Sequence, residues 1–277
     1  MIGLVIILFI LSALTIYFYT QTRYLTKNLN KERETENQKQ CFLATLVHDL
    51  KTPTNAQLNT LNLLKKGTFG NLNSEQKEMI NLTQESCKYM SNLIGTIMQT
   101  YNYDCGKIHL IKDNFDISNL VVELCDSTKV LCLQKNQKLE LDYDKNVPII
   151  IYADKLQIKR VILNLISNAI TYGYSNTVIK ISFKKNITNF EFCIKNMSKP
   201  ISQSELKTIF DKYKKTEYAR FNKTSSGLGL YLSKRIIELH HGKIFANSNS
   251  KGCCTFKFII PTVKSSLLKS SNQKCRI

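Results

Sequence analysis

The stretch LATLVHDLKTP, Leu43 to Pro53, sets His48 beside Asp49 in an apolar helical run and places Pro53 five residues on. A neutral imidazole is a nucleophile, and an adjacent carboxylate can fix its tautomer and take its proton. With Leu43, Val47 and Leu50 on an apolar seam, His48 falls on the flank, in solvent. The competing reading is a core histidine in an ordinary helix. Pro53 has no N–H, so the carbonyl of Asp49 loses its helical partner, and a bend is expected one turn beyond the histidine.

A second set lies in LNLISNAITYG, Leu163 to Gly173. Asn164 and Asn168 are four apart and share a helical face, while Leu163, Ile166 and Ile170 cover the opposite one. Two amides on such a face can present oxygens to a hydrated magnesium ion and donors to phosphates, or can be plain solvated asparagines. A third set, SSGLGLYLSKRIIELHHG, runs from Ser225 to Gly242. Gly227 and Gly229, with Leu228 and Leu230 between and after them, permit close backbone approach and lead into a helix whose first amides can cradle phosphate. Before it, Asp211 to Ser226 is polar and basic and reads as a mobile lid. Its Lys212, Lys214, Lys215, Arg220 and Lys223 are phosphate-binding candidates. His240 and His241, at a helix end, suit packing or capping.

These groups need elements to hold them. Residues 20–40 read as a polar helical linker, and residues 40–106 as a helical hairpin turned at the glycine-bearing KKGTFGNLN, Lys65 to Asn73. One stripe joins Leu43, Val47, Leu50, Leu61 and Leu64; the other joins Met79, Leu82, Tyr89, Leu93 and Ile97. Two such helices cannot bury their stripes alone, which predicts a dimeric four-helix bundle. From Lys107 to residue 262 the pattern mixes strands and helices. Strands are expected at Ile108–Ile111, KLELDY, VPIIIYA, NTVIKISF, NFEFCIKN, GKIFANS and GCCTFKFIIP, and helices at Ser118–Leu133, Lys155–Tyr172 and Leu228–His240. Asp154 is placed to cap the second of these helices. The result is an α+β layered domain with one sheet and helices on one face. The tail, 263–277, reads as disordered.

Together the motifs resemble the bacterial sensor histidine kinases. FLATLVHDLKTP is similar to the family's phospho-acceptor motif, NLISNAITYG to its asparagine motif, and SGLGLYLSKRIIELHHGKI to its second glycine motif. IFDKY, Ile209 to Tyr213, is similar to the aromatic motif before the lid, and the resemblance covers roughly Gln40 to Pro261. It implies that ATP bound in the second domain phosphorylates His48, with Asp49 as general base. It further implies Asn168 as the main magnesium ligand, helped by Asn164, and transfer of the phosphoryl group to an aspartate of a response regulator. Thr52 matches the position that orients water for dephosphorylating that regulator. The second domain would share the α/β ATP-binding sandwich of gyrase and chaperone ATPases. The family's first glycine motif, D-x-G-x-G, is here NMSKPIS: Asn196 stands for the Asp that bonds the adenine amino group, and Ser198 for the first glycine. An Asn oxygen still accepts from an amino group, without charge assistance. Thr171 departs from a commonly basic position, and Tyr172 can line the adenine site.

Composition sets the remaining bounds. A formal net charge of +18 favours anionic partners, such as nucleotide phosphates or an anionic membrane face. No compact basic run with interleaved aromatics occurs, so nucleic acid is not expected as a partner. The nine cysteines form no C-x-x-C pair, which is poor material for a zinc site or a disulfide framework and suits a reducing compartment. Ile2 to Tyr19 is an uncharged apolar run of near-spanning length, followed by Arg23, Lys27, Lys31 and Arg33. Residues 1–22 are therefore expected to anchor the chain once in the inner or plasma membrane of a bacterium, with residues 23–39 as linker and everything after in the cytoplasm. Three alternatives are a regulator phosphatase relying on Thr52, a non-catalytic scaffold holding a regulator at the membrane, and a gyrase-like ATPase. The ATPase would not need HDLKTP.

Overall fold

The computed structural model describes residues 2–145, 147–220 and 226–262, with the side chains of residues 4–13 and a few others in helices outside the description. The chain divides into two compact units, Met1–Met98 and Gln99–Ile277. The expected disordered tail, together with Lys223, Ser225 and the side chain of Arg220, lies outside the described residues.

Helix α1, Ile2–Lys65, runs as one element through the apolar run, the polar linker and Pro53. Pro53 lies inside the helix and does not end it. Thr52 donates its hydroxyl to the carbonyl of His48 at 3.0 Å and Thr54 to that of Leu50 at 2.7 Å, back-bonding on both sides of the proline. Helix α2, Ser74–Asp104, starts at a reciprocal cap: Asn73 Oδ1 accepts from the Gln76 amide, and Gln76 Oε1 from the Asn73 amide. Polar contacts fix the antiparallel register. Gln84 Nε2 donates to Asn62 Oδ1 at 2.8 Å, Lys65 Nζ to Asn81 Oδ1 at 2.7 Å, and Cys87 Sγ lies 3.7 Å from Gln57 Oε1. The inner face is Leu43, Val47, Thr54, Leu58, Leu61 and Leu64 in α1, with Ile80, Gln84, Cys87 and Ile94 in α2. Four residues expected on the seam, Leu50, Met79, Leu82 and Ile97, are instead exposed, as are Leu46 and Met90. Each helix carries two apolar stripes, and one hairpin can bury only one of them. Among the described residues no helix is long and apolar enough to cross a membrane.

The second unit is built on a five-stranded sheet. Its elements in chain order are β1 Asp113–Asp116, α3 Ile117–Leu133, β2 Lys138–Asp142, β3 Ile150–Ala153, α4 Lys155–Tyr172, β4 Val178–Lys185 and β5 Asn189–Met197, then α5 Gln203–Thr208, α6 Glu217–Arg220, α7 Gly229–Leu239, β6 Lys243–Ser248 and β7 Cys253–Pro261. The order is β2-β4-β5-β7-β6, with β2–β4 parallel and the rest antiparallel, and β1 pairs with β3 in a separate ribbon. Alternation along the strands sends Ile179 and Ile181, Phe190, Phe192 and Ile194, and Phe258 and Ile260 into one core, closed by Val121, Ile162, Leu165, Ile166 and Ile236 from α3, α4 and α7. The strand expected at Ile108–Ile111 is not formed; Ile111 is exposed, and the strand lies at Asp113–Asp116, held by its pairing with β3. Leu163, expected on the packed face of α4, is exposed. No disulfide joins the described cysteines.

Candidate functional site

The hairpin presents its chemistry in solvent. The side chains of His48 and Asp49 are 81% and 66% exposed, and His48 Nδ1 stands 3.4 Å from Asp49 Oδ1, long for a hydrogen bond. Thr52 is exposed one turn on.

In the second unit the groups are held by packing. Asp154 caps α4 by accepting from the Gln157 amide at 3.0 Å, and its other oxygen accepts from the Ile111 amide at 2.9 Å. Buried His240 accepts the Asp154 amide on Nε2 at 3.0 Å, while its Nδ1 lies 2.8 Å from the Ile236 carbonyl, which requires the neutral Nδ1–H tautomer. Burial pushes its pKa below the ordinary histidine value. His240 is thus a packing residue, inaccessible to phosphoryl chemistry.

Capped in this way, α4 carries Asn164 and Asn168, both half-buried, on one face. Asn164 Nδ2 donates to Ser233 Oγ at 2.9 Å, and that hydroxyl donates to the Gly229 carbonyl at 2.9 Å. A β-carbon on Gly229 would stand 2.5 Å from Asn164 Oδ1, so any larger residue there must displace the Asn164 side chain from its place against the start of α7. Gly227 (φ +71) is similarly constrained: a β-carbon there would lie 2.8 Å from the Tyr213 backbone, and the Tyr213 amide donates to the Gly227 carbonyl at 3.0 Å. That bond closes the neck of the 211–226 segment. No side chain caps the first amides of α7. Leu228 is buried, and Leu230 is partly buried against the core, so their side chains pack inward.

Around the segment, Lys214 is exposed and Lys215 half-buried, and Lys199 Nζ lies 4.5 Å from the Tyr218 ring centroid. Lys212 pairs instead with Asp104, which also accepts from the Tyr231 hydroxyl. Burial first, then the bond to Asp104, pushes the Tyr231 phenol up to about 12. Tyr172 is half-buried at the end of α4, and Asn196 is buried on the inward face of β5.

Three contributors escaped the sequence reading. Ser233 couples the asparagine and glycine motifs. Lys135 Nζ donates to the carbonyls of Ile170 and Thr171 at 3.0 and 2.6 Å, and Gln137 Nε2 to those of Ile170 and Tyr174 at 3.3 and 3.1 Å, so the two side chains take up the last carbonyls of α4. A G-x-x-x-S-K spacing or a K-N-Q turn is too common to signal these roles.

One feature suits the phosphates of a nucleotide: the glycine pair leads into helix amides that no side chain caps, beside Asn164. Among the described residues no three His, Cys, Asp or Glu side chains gather as a metal site.

Comparison with known proteins gives the same reading. Residues 38–105 match the family model of the His Kinase A (phospho-acceptor) domain, and residues 153–264 that of the histidine kinase-, DNA gyrase B-, and HSP90-like ATPase. The chain belongs to the sensor histidine kinases of two-component signalling. It is 28% identical over 84% of its length to the hybrid signal transduction histidine kinase B of Dictyostelium discoideum, of which it spans 12%. It is 26% identical over 78% of its length to the aerobic respiration control sensor ArcB homolog of Haemophilus influenzae, spanning 65% of that protein. To the sensor protein VanS of Enterococcus faecium it is 27% identical over 88% of the chain, spanning 62% of that relative. The chain therefore spans less than two thirds of the length of these relatives. Full-length ShkA in complex with AMPPNP (TM-score 0.68, 19% identity, 80% of this chain and 46% of that one) shares its fold. So does AdeS of Acinetobacter baumannii (0.57, 21%, 78% and 98%).

Proposed function

We propose that this chain is an ATP-dependent protein-histidine kinase that phosphorylates itself on His48 and passes the phosphoryl group to an aspartate of a response regulator. The observation that carries the reading is the joint presence of an exposed His–Asp pair and a glycine-and-asparagine cradle in one chain. Asp49 lies on the Nδ1 side of the ring, so it takes or holds the Nδ1 proton and leaves Nε2 as the attacking atom. Nε2 forms a bond to the γ-phosphorus, the bond to the β–γ bridging oxygen breaks, ADP leaves, and the ring proton passes to Asp49. The amides at Gly227–Leu230 and the cations of Lys214 and Lys215 receive the phosphates. Asn168 would hold magnesium through its amide oxygen, and the ion would supply charge neutralisation for the phosphates. Asn164 braces the start of α7 through Ser233. Asn196 and Tyr172 face the base.

Thr52, one turn beyond His48, is assigned to orienting water when the regulator is dephosphorylated. The chain acts as a homodimer, supported by the exposed stripe of Leu46, Leu50, Met79, Leu82, Met90 and Ile97. It is anchored once in the plasma membrane of a bacterium by residues 1–22, with the rest in the cytoplasm. The anchor is supported by the uncharged run Ile2–Tyr19 and the basic residues after it. Incubation with γ-labelled ATP and magnesium is the test: an acid-labile, alkali-stable label that moves to a receiver aspartate is expected. Release of free phosphate with an unlabelled chain would instead indicate an ATPase.

A further inference from the structure

The neck of the 211–226 segment is held by a residue that none of the sequence motifs contains. Asp104 ends α2, and this last turn belongs to the second unit. Its Oδ1 accepts from the Tyr231 hydroxyl, and its Oδ2 pairs with Lys212 Nζ. Lys212 Nζ also lies 5.3 Å from the Tyr231 ring centroid, so the three groups close a triangle. Lys212 stands on the incoming side of the neck, one residue before Tyr213, whose amide donates to the Gly227 carbonyl at 3.0 Å. Tyr231 stands on the outgoing side, two residues past Gly229 in the first turn of α7. One carboxylate therefore ties both sides of the neck beside the glycine pair.

That carboxylate is itself fixed in place. Tyr103, the preceding residue, is 1% exposed and donates to Gln157 Oε1 at 2.7 Å, where Arg160 Nη1 donates as well at 3.1 Å. Gln157 and Arg160 lie in α4, the helix that carries Asn164 and Asn168. The end of α2 is thus pegged to the asparagine helix and, one residue on, tied to the glycine helix. The Asp104 side chain is 22% exposed, so water and salt screen its two bonds less than those of an open surface pair. A site braced in advance loses less free energy to ordering when a ligand arrives.

Resting on the nucleotide reading above, we propose that Asp104 is a positioning residue for the triphosphate, which holds Lys212 and Tyr231 and so fixes the backbone of Gly227–Leu230 that receives the phosphates. Asp104 touches no phosphate in this role. A purely Coulombic role has the opposite sign. A carboxylate near a phosphate site repels the ligand, so its loss would tighten binding if Asp104 acted only through its field. Loss of a brace weakens binding.

The experiment is calorimetric titration of the full chain in detergent micelles with magnesium and a non-hydrolysable ATP analogue, in the wild type, Asp104→Asn, Lys212→Met and the double variant. Asp104→Asn keeps the shape and removes the charge, and should weaken binding by about threefold to tenfold, as should Lys212→Met. The double variant should be within about twofold of the weaker single, because both changes break one interaction. In self-phosphorylation, the apparent KM for ATP of Asp104→Asn should rise by the same factor while kcat stays within about twofold, because saturating ATP restores occupancy of a loosened site. Tighter or unchanged binding by Asp104→Asn overturns the proposal, as does a double variant weakened by the product of the two singles. A fall in kcat at unchanged KM also overturns it, marking a general structural defect. If Asp104→Asn does not fold, Tyr231→Phe removes the other tie alone, and unchanged affinity in that variant overturns the proposal. A wild type that does not bind the analogue overturns the nucleotide reading itself, and the brace with it.

Discussion

The two units carry their chemistry in opposite ways. In the hairpin, His48, Asp49 and Thr52 stand in solvent, while the fold is specified elsewhere, by Gln84–Asn62, Lys65–Asn81 and an apolar inner face. In the sheet unit the same side chains make the fold and the site. Asp154 is both helix cap and strut, Asn164 both brace and wall, and Gly229 both turn and contact. An exposed nucleophile can be changed without structural cost. A site cut into a core cannot.

The largest separation of these behaviours is expected from Gly229→Ala set against His48→Gln. The new β-carbon must displace Asn164, costing about 1–3 kcal/mol of stability and most of the nucleotide affinity. His48→Gln should abolish phosphorylation with stability changed by less than about 0.5 kcal/mol. Thermal melts and nucleotide titration of both variants check this, and a large destabilisation by His48→Gln would break the contrast. Next is Asp154→Ala, which removes the α4 cap and the tie to Ile111. A loss of about 1–2 kcal/mol is expected, read by denaturant unfolding, with nucleotide affinity falling alongside.

The sheet unit should also show a pH dependence. Burial depresses His240 below its ordinary value, aided by Lys112 and His241 and opposed by the Ile236 carbonyl and Asp154. The neutral ring is therefore favoured in the fold. Its contribution is present above the unfolded value, about 6.5, and is lost as pH falls below it. Melting temperature should drop from pH 7 toward about 5.5, and His240→Leu should melt lower throughout with a flatter slope. The smallest structural effect is expected from Thr52→Ala. It removes one exposed back-bond and should leave stability within about 0.5 kcal/mol and phosphorylation intact, while slowing dephosphorylation of the regulator. Equal loss of both activities would show that the hydroxyl serves the helix.

What the sequence revealed follows the same division. Strand alternation in Phe190, Phe192 and Ile194, the cap at Asp154 and the glycine pair before α7 were legible because each is a local rule with a strong residue signal. The strand Asp113–Asp116 was not, since DNFD has no alternation and exists only through its partner β3. The short helix α5 carries a genuine capping box, Ser202 with Glu205, but six residues give no periodicity to read. In the hairpin, Leu50 and Met79 are as apolar as the buried Ile94, and nothing local says which stripe faces inward. Ser233, Lys135 and Gln137 depend on what the fold brings beside them, which spacing along the chain cannot encode.

The central claim is that one chain holds a solvent-exposed acceptor histidine and the site that phosphorylates it. It is tested most directly by incubating the full chain with ATP and magnesium and locating the phosphoryl group by mass spectrometry under alkaline conditions, in the wild type and in His48→Gln. The modification should fall on His48 alone and vanish in the variant, whose melting curve and nucleotide binding match the wild type. A phosphoryl group retained by a folded His48→Gln chain, on His241 or any other residue, would contradict the account.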